Sequence, residues 1–256
     1  GTVYPIFLDV ISSQKISVGP PFYHKLIIPF LIPFLFMMAI GPKLKWIKSQ
    51  LEDKIYLISF LIISILLAFL VLKNFNQNIL INTILISSAL YLFFITLRDF
   101  FVKKYKNISQ NIAHFGFSLL ILSILFNNLF ASEIITNLKV GETFENSKTK
   151  IVFESVDQKK EQNYNAIIAN FSISNSNGEE DRLSPELRIY NQPVIATSEA
   201  DIKTTLMSDK FIVINLVQNQ DFFNVRYQVK PFMLWIWVSV ILISFGGIIS
   251  FLQKRL

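Results

Sequence analysis

The two histidines, His24 and His114, are the residues of this chain whose type and position best suit chemistry. His114 lies in the stretch QNIAHFGFSLLIL (110–122), inside an otherwise apolar run. Ionisable groups within membrane segments are rare and costly, so they are candidate functional residues. A neutral imidazole at this depth needs a partner, either a hydrogen-bond acceptor on another helix or a metal, most reasonably haem iron. The residues alone leave both possibilities open.

The polar residues of the preceding apolar run are the candidate acceptors for His114: Asn82, Thr83, Ser87 and Ser88. Helical spacing places His114 on one face with Phe117, Ser118, Ile121 and Leu125. Gly116 permits close approach by a neighbouring helix or a flat ligand. His24 follows the Gly-Pro-Pro turn at 19–21, at the water boundary of another apolar run. It is either an interfacial histidine or a haem contact.

Residues 132–230 hold the other charged candidates: Arg182, Glu186, Arg188, Glu199 and Asp201. This segment contains no histidine, which excludes a Ser-His-Asp arrangement, and its carboxylates are too scattered for a hard-cation site. Paired carboxylates for acid–base chemistry and ordinary solvated surface charge both stay open. The whole chain lacks cysteine, so disulfides and thiolate chemistry are excluded.

The elements that position these residues are predicted from hydropathy. Hydrophobic residues make up 52% of the 256 residues, with 25 Phe. A membrane-crossing helix needs roughly 20 largely apolar residues. Five runs meet this criterion: Ile27–Gly41 with its flanks, Ile55–Leu72, Ile79–Leu97, Ile112–Ala131 and Pro231–Leu252. Pro29 and Pro33 predict a kink in the first run, which neighbouring helices can accommodate.

The net charge of +6 follows the topology of these runs. Basic residues fill two alternate loops and the C-terminal tail: Lys43, Lys45, Lys48 and Lys54; Arg98, Lys103, Lys104 and Lys106; Lys254 and Arg255. The positive-inside rule places these loops on the cytoplasmic or matrix side, with His114 in the inner leaflet. No basic stripe with interleaved aromatics is present, which argues against a nucleic-acid partner.

The segment between the fourth and fifth runs changes character. Short alternating stretches at 149–156, 164–174, 182–190, 210–218 and 222–230 are separated by turn-forming clusters, a pattern typical of an antiparallel β-sandwich or small barrel. We therefore predict an integral membrane protein, mainly α with about five transmembrane helices, with an inserted all-β antiparallel domain. The predicted parts are an extracytoplasmic segment 1–24, a four-helix region 25–131, an extracytoplasmic β-domain 132–230 and a last helix with its tail 231–256.

The first residues, GTVYPIFLDV, start without Met and show no signal peptide. We interpret the chain as the downstream part of a longer or split protein.

Four motifs in order then give a specific resemblance: GTVYPIF with ISVGPPFYHK, NIAHFGFSLL, LSPELRIYNQPVIATSEADI and VKPFMLWIWVSVILISFGG. They resemble, respectively, the Gly-Thr-x-Tyr-Pro and Ile-Ser-Val-Gly-Pro-Pro stretch, the Ala/Gly-His-x-Gly helix start, the Leu-x-Pro-Glu-x-Arg-x-Tyr segment and the Lys-Pro-Phe-x-x-Trp-Ile-Trp entry of the CcmF family. The similarity runs nearly end to end and corresponds to the C-terminal half of these haem lyase subunits of cytochrome c maturation.

The resemblance implies a function. Members of the family attach haem to the Cys-x-x-Cys-His motif of apocytochrome c and hold a haem b between two membrane histidines, with quinol as the electron source. His114 occupies the position of one axial ligand. Implied cofactors are haem b and substrate haem. Implied partners are the upstream half of the lyase, apocytochrome c, a haem chaperone and thioredoxin-like apocytochrome-handling subunits. The implied location is a bacterial or mitochondrial inner membrane, with the β-domain on the periplasmic or intermembrane-space side.

The chain also departs from the family. The second haem b ligand, the tryptophan-rich haem-handling segment and the outer-loop histidines correspond to sequence before Gly1. His24 stands where the family has another polar residue, so no role is transferred to it. Glu186, Arg188, Tyr190 and Glu199 are expected to shape the β-domain or its docking surface. Alternatives from other classes are a membrane-anchored assembly module without a cofactor and a transporter fragment, although no predicted span contains a carboxylate for coupling.

Overall fold

The fold comes from a computed structural model, which describes residues 3–12, 19–44, 54–75, 79–102, 107–175, 178, 180–217 and 221–253. The basic positions 45, 48, 103, 104, 106, 254 and 255 and the side chains of His24 and Lys54 lie outside the described part. The chain divides into two units: a helical unit, Gly1–Leu122 with Trp237–Leu256, and a β unit, Ser123–Ile236.

The helices follow the apolar runs. They are α1 (Val3–Ser12), α2 (Pro20–Ile40) with a 3₁₀ turn (Gly41–Lys43), α3 (Lys54–Leu72), α4 (Ile79–Val102), α5 (Ile108–Phe130) and α6 (Met233–Gln253). Within the described residues, five helices, from α2 to α6, are long and apolar enough to cross a membrane. The prediction of five membrane helices is therefore confirmed.

Two helix ends differ from the prediction. α5 begins at Ile108 instead of Ile112, so His114 lies nearly two turns into the helix. α4 extends beyond Leu97 to Val102 and includes Asp99, so the expectation that no span contains a carboxylate is wrong. Asp99 is 8% exposed and pairs with Lys43 at 2.5 Å between Nζ and Oδ2. The polar end of the helix was missed because hydropathy does not detect charges that neutralise each other across helices.

Lys43 was expected as a solvated loop charge that fixes topology. Instead, its side chain is 6% exposed and joins the end of α2 to α4 through Asp99. Beside this pair, the Arg98 guanidinium lies 3.5 Å from the centroid of the Tyr56 ring on α3. Ion pairing and cation–π contact thus tie three helices together at one end of the helical unit.

The β unit holds ten described strands: β1 (Ser132–Leu138), β2 (Thr143–Glu145), β3 (Thr149–Lys160), β4 (Tyr164–Asn175), β5 (Glu180–Leu183), β6 (Glu186–Asn191), β7 (Val194–Glu199), β8 (Asp201–Thr204), β9 (Ser208–Leu216) and β10 (Phe223–Pro231). One sheet has the order β1-β10-β9-β8 and the other β2-β3-β4-β6-β7, with β5 also paired to β4. Every described pairing is antiparallel.

Alternation along these strands creates one core between the two sheets. Alternate residues such as Ile151 and Phe153 on β3, and Ile212 and Ile214 on β9, are fully buried. Phe153 stacks on Phe171 of β4 with ring centroids 4.5 Å apart. This arrangement is the β-sandwich of the two architectures predicted.

The predicted strands differ from the observed ones in two ways. The stretch 182–190 is two strands, because Ser184 and Pro185 interrupt it between β5 and β6. Four strands, β1, β2, β7 and β8, were not predicted. β1 directly follows α5, separated from it by Ala131 alone.

Candidate functional site

His114 lies on α5, and its side chain is half-buried among the helices of the helical unit. α5 contacts three neighbours through three different faces, and the face that carries His114 points to α2. The contacts of each face define how firmly the imidazole is positioned.

The α2 face of α5 includes His114 and, one turn later, Phe117. The Phe117 ring meets Phe34 of α2 edge-on, with centroids 5.8 Å apart. The His114 imidazole lies near the backbone of Met38, one turn beyond Phe34. Because Phe34 and Met38 are four residues apart, they belong to one ridge of α2 that faces His114 and Phe117.

The Met38 carbonyl is available because of the sequence that follows it. In a continuing helix this carbonyl would accept the N–H of residue 42, but residue 42 is proline and has no N–H. The helix ends at Ile40, and the Gly41 N–H bonds to the Met37 carbonyl instead. The Met38 carbonyl therefore lacks a helical donor, and the N–H of the His114 ring can satisfy it.

The α6 face of α5 is built from small residues. Ideal Cβ atoms show how close the helices are: one added at Gly116 would lie 3.0 Å from Ile243 Cγ1, and one at Gly246 would lie 2.8 Å from Ala113 Cβ. The predicted close approach at Gly116 is therefore made by a neighbouring helix. Ala113 and Gly116 flank His114 in sequence, so α6 packs directly against the turn that carries the histidine.

The third face of α5 meets α4 through aromatic rings. Phe115 lies 5.2 Å from Phe93 and 5.7 Å from Phe100 between ring centroids. Together with the α2 and α6 contacts, this fixes α5 on three sides around His114.

An open apolar groove of about 670 Å³ runs along α2 and is lined by Leu26, Ile27, Phe30, Leu31 and Phe34. Leu26, Phe30 and Phe34 stand on the same i, i+4 ridge that ends at Met38. The groove is lined by residues of α2 alone and lies on the same side of this helix as the turn that faces His114.

Two of the four polar residues predicted as acceptors on the third span are engaged within their own helix. The Ser87 and Ser88 hydroxyls donate to the carbonyls of Ile84 and Leu85 in their own helix. The polar residues of α4 were favoured because sequence shows side-chain acceptors but hides backbone ones. The signal available was Pro42, four residues after Met38. His24 lies on α2, and its side chain lies outside the described part.

Three of the charged candidates of the β unit lie close together on neighbouring strands. Glu186 and Glu199 are directly opposite each other on β6 and β7. Arg188 Nε donates to Glu186 at 2.8 Å, which raises the pKa of the arginine, and its guanidinium lies 5.1 Å from the Tyr164 ring. Tyr190 packs on Tyr164 with centroids 5.4 Å apart. These side chains are partly exposed, and the contacts described are with one another.

A second charged group, centred on Asp181, was missed by the sequence reasoning. Asp181 is 4% exposed, and its two carboxylate oxygens accept from Lys203 at 2.5 Å and Lys210 at 2.7 Å. Asp181 stands on β5, whereas the lysines stand on β8 and β9, so the pairs join the two sheets. Asp181 was placed in a polar turn cluster; the signal available was the inward alternation of Asp181 with Leu183.

The electrostatics of this group follow from its burial. Burial opposes ionisation of Asp181, but the hydrogen bonds and charges of Lys203 and Lys210 outweigh it and lower the pKa of the carboxyl. Burial, and then the negative charge of Asp181, raise the pKa of Tyr227 to about 12. Among the described residues, no cluster of three or more His, Cys, Asp or Glu side chains is placed to hold a metal ion.

Comparisons with known proteins show which proteins this chain is similar to. A family model described as the CcmF C-terminal β-sandwich matches residues 129–231. The whole chain aligns with cytochrome c-type biogenesis protein CcmF of Pseudomonas fluorescens at 26% identity, covering 100% of this chain and 41% of that protein. The chain resembles the C-terminal part of CcmF.

Other cytochrome c-type biogenesis proteins align over the same share of this chain and of their own length. CcmF of Escherichia coli is 22% identical and NrfE of Haemophilus influenzae, also a cytochrome c-type biogenesis protein, is 24% identical; each match covers 100% of this chain and 41% of the relative. A solved structure titled cytochrome c heme lyase CcmF has the same fold over 97% of this chain and 41% of its own, with a TM-score of 0.72 at 19% identity. The chain thus spans about two fifths of the length of its CcmF relatives.

Proposed function

We propose that this chain forms the C-terminal part of a cytochrome c haem lyase and that His114 is one axial ligand of a membrane haem b. The observation that carries the proposal is the position of His114 in a chain that resembles CcmF throughout its length. The half-buried imidazole faces α2 beside an apolar groove, in a helix packed on three sides.

The residues around His114 fit a haem ligand. An imidazole that ligates iron through one ring nitrogen commonly donates its other N–H to a carbonyl or carboxylate, which fixes the tautomer and the ring orientation. Met38 supplies such an acceptor. Phe34 and Phe117 place two aromatic rings in contact beside it. A haem bound here would supply a one-electron carrier.

The second axial ligand is proposed to come from outside this chain. A haem iron with histidine on both sides needs two imidazoles, and the only other histidine of this chain, His24, stands at the far end of α2. We assign the second ligand to the upstream part of the lyase, and substrate haem to that part as well. His114 would hold the haem b from this chain's side, and the bound group would supply one-electron chemistry for the lyase.

The β unit is proposed to dock the protein partners: apocytochrome c, the haem chaperone and the thioredoxin-like subunits. Its exposed charged and aromatic group on β4, β6 and β7 supports this assignment, because tyrosine and arginine are enriched at protein interfaces. Arg188 with Tyr164 and Tyr190 forms the centre of that surface.

The two histidines provide a matched test. The chain is co-expressed with the upstream part of the lyase, and the purified complex is examined by optical spectroscopy as wild type, His114→Ala and His24→Ala. We expect the b-type spectrum to disappear in the first variant and to persist in the second. Added imidazole should restore the signal in a His114→Gly variant.

An unchanged b-type spectrum in His114→Ala would exclude His114 as a ligand. Absence of any b-type spectrum in the wild-type complex would instead favour a membrane-anchored assembly module without a cofactor. The two outcomes separate the ligand assignment from the broader function.

The location is part of the proposal: an inner membrane, with the β unit on the periplasmic or intermembrane-space side. Reporter fusions test the sides. A reporter that requires the outer compartment should be active after Asn175 and inactive after Ser49, and the reverse pattern would contradict the positive-inside assignment.

A further inference from the structure

The hairpin turn between β8 and β9 carries two large apolar side chains in place of turn residues. Leu206 and Met207 form the two-residue loop between Thr205 and Ser208 and are 69% and 63% exposed. Two-residue hairpin loops favour Asn, Asp and Gly, which suit the backbone and water. We call Leu206 and Met207 the apolar tip.

The turn itself is rigid. The Thr205 N–H bonds to the Ser208 carbonyl at 2.9 Å, and the Thr205 hydroxyl accepts the Ser208 N–H at 3.0 Å. The exposure of the apolar tip is thus a property of an ordered hairpin.

The apolar tip is bonded to the entry of α6. The Phe232 N–H donates to the Met207 carbonyl at 2.8 Å, and the Trp235 indole N–H donates to the Leu206 carbonyl at 2.9 Å. Both hydrogen bonds are accepted by main-chain carbonyl oxygens, so neither of them involves the side chain of Leu206 or Met207. The first turn of a helix apolar enough to span a membrane and the apolar tip therefore lie at the same level.

The entry of α6 is also fixed from α5. Phe232 adopts a left-handed backbone conformation (φ 61°), which turns the chain from β10 into α6. Its ring lies 5.7 Å from Phe126, and the Asn127 amide donates to the Pro231 carbonyl at 2.6 Å. The tip is consequently joined to the ends of two candidate membrane helices within one unit.

We propose that Leu206 and Met207 insert into the lipid bilayer surface from which α6 emerges. Trp235, hydrogen-bonded to the tip, and Trp237, 62% exposed, have the amphipathic rings that prefer the headgroup level. Apolar side chains at that level are expected to enter the headgroup and acyl boundary to a depth of about 5–10 Å. The sandwich would then contact lipid through a point other than its two helix connections.

The opposite end of the sandwich supplies a control position. β7 and β8 are joined by Ala200 alone, although β7 pairs with β6 in one sheet and β8 pairs with β9 in the other. Ser198 Oγ of β7 donates to Asn215 of β9, and Asp201 of β8 pairs with Ile212 of β9. Val194 begins this run and is 82% exposed. Since ten residues of extended chain span about 33 Å, Val194 is far from the apolar tip.

The chain contains no cysteine, so a single introduced cysteine is the only thiol available for labelling. Leu206→Cys, Met207→Cys and Val194→Cys are each labelled with the environment-sensitive fluorophore NBD in the full chain, reconstituted into phosphatidylcholine–phosphatidylglycerol vesicles. Quenching is measured with a lipid that carries a nitroxide high on its acyl chain and, separately, with aqueous iodide.

We expect lipid nitroxide to quench labels 206 and 207 and iodide to leave them unaffected, with the opposite pattern at 194. Iodide quenching at 206 equal to that at 194 would show a tip in water and overturn the proposal. A label at 206 reached by neither quencher would show a tip covered by protein and would overturn it equally.

Discussion

The close packing of α5 against α6 leads to a prediction with an internal control. Gly246 and Gly247 are adjacent on α6, but an added Cβ would meet very different surroundings. At Gly246 it would lie 2.8 Å from Ala113 Cβ, the Ala113 nitrogen and the Ser109 carbonyl oxygen, whereas at Gly247 it would have nothing within 4 Å. The perturbation is therefore Gly246→Ala compared with Gly247→Ala.

The magnitude follows from these distances. Carbon atoms in favourable contact are about 3.5–4.0 Å apart, so a Cβ at 246 requires the helices to separate locally by about 0.7 Å or more. Two of the three atoms met are backbone atoms, which cannot rotate away. Overpacking of this kind costs about 1–3 kcal/mol. The gain in helix propensity, about 1 kcal/mol for Gly→Ala, applies to both variants and cancels in their difference.

The assay is the free energy of unfolding of the full chain in detergent micelles, followed by far-UV circular dichroism during titration with a denaturing detergent. We expect Gly246→Ala to be less stable than Gly247→Ala by about 1–3 kcal/mol. Gly247→Ala itself should be as stable as the wild type or slightly more stable. Equal stabilities of the two variants would refute the close approach of α6 to the histidine-bearing turn of α5.

Three further predictions concern single residues. Asp181→Ala removes the carboxylate shared by two lysines and should lower the unfolding free energy by about 3–5 kcal/mol, whereas the exposed Glu154→Ala should change it little. The pKa of Tyr227 is raised to about 12 from 10.0 in the folded protein. This shift contributes about 2–3 kcal/mol to the free energy of unfolding below pH 10, and the contribution is lost as the pH rises to 12. Tyr227→Phe should therefore remove this part of the alkaline destabilisation when stability is measured against pH. Pro42→Ala supplies an N–H that competes for the carbonyl facing the histidine and should weaken haem retention by about 10-fold or more, measured by haem transfer to apomyoglobin, whereas Pro33→Ala should not.

The helices could be predicted because length and hydropathy are local properties. Each of the five runs contains enough apolar residues to cross a bilayer, so neighbours in space were not needed to find them. The same reasoning ended the third helix too early, at Leu97. Asp99 is tolerated in α4 because Lys43 pairs with it from a position 56 residues away, which is a property of the fold and not of the segment.

The strands show where local pattern stops being sufficient. β4, β9 and β10 were predicted nearly in full, and β3 was predicted over its first eight residues, where its inward positions alternate. β7 and β8 are short, with mostly exposed side chains, and their pairing with β6 and β9 defines them as strands. Asp181 was missed for a related reason: a buried carboxylate is acceptable only where two lysines from the other sheet reach it.

The candidate site was proposed from one residue type, but its geometry required the structure. Histidine within an apolar run predicts a function at His114, and no local pattern tells which neighbour holds the ring. The structure assigns that role to the end of α2, where Pro42 leaves the Met38 carbonyl without a helical donor.

The three-sided packing of α5 bears on how His114 would be held as the proposed ligand. On the α2 side, the backbone of Met38 lies near the His114 ring. On the α6 side, Gly116 and Gly246 allow the two helices to pack closely. On the α4 side, Phe115 packs against Phe93. All three neighbours belong to this chain, so in the proposed site the imidazole would be positioned without help from another polypeptide segment. A site that is preorganised on one side has less side-chain entropy to lose on binding. A second polypeptide segment would then need to bring only its own imidazole to complete the pair.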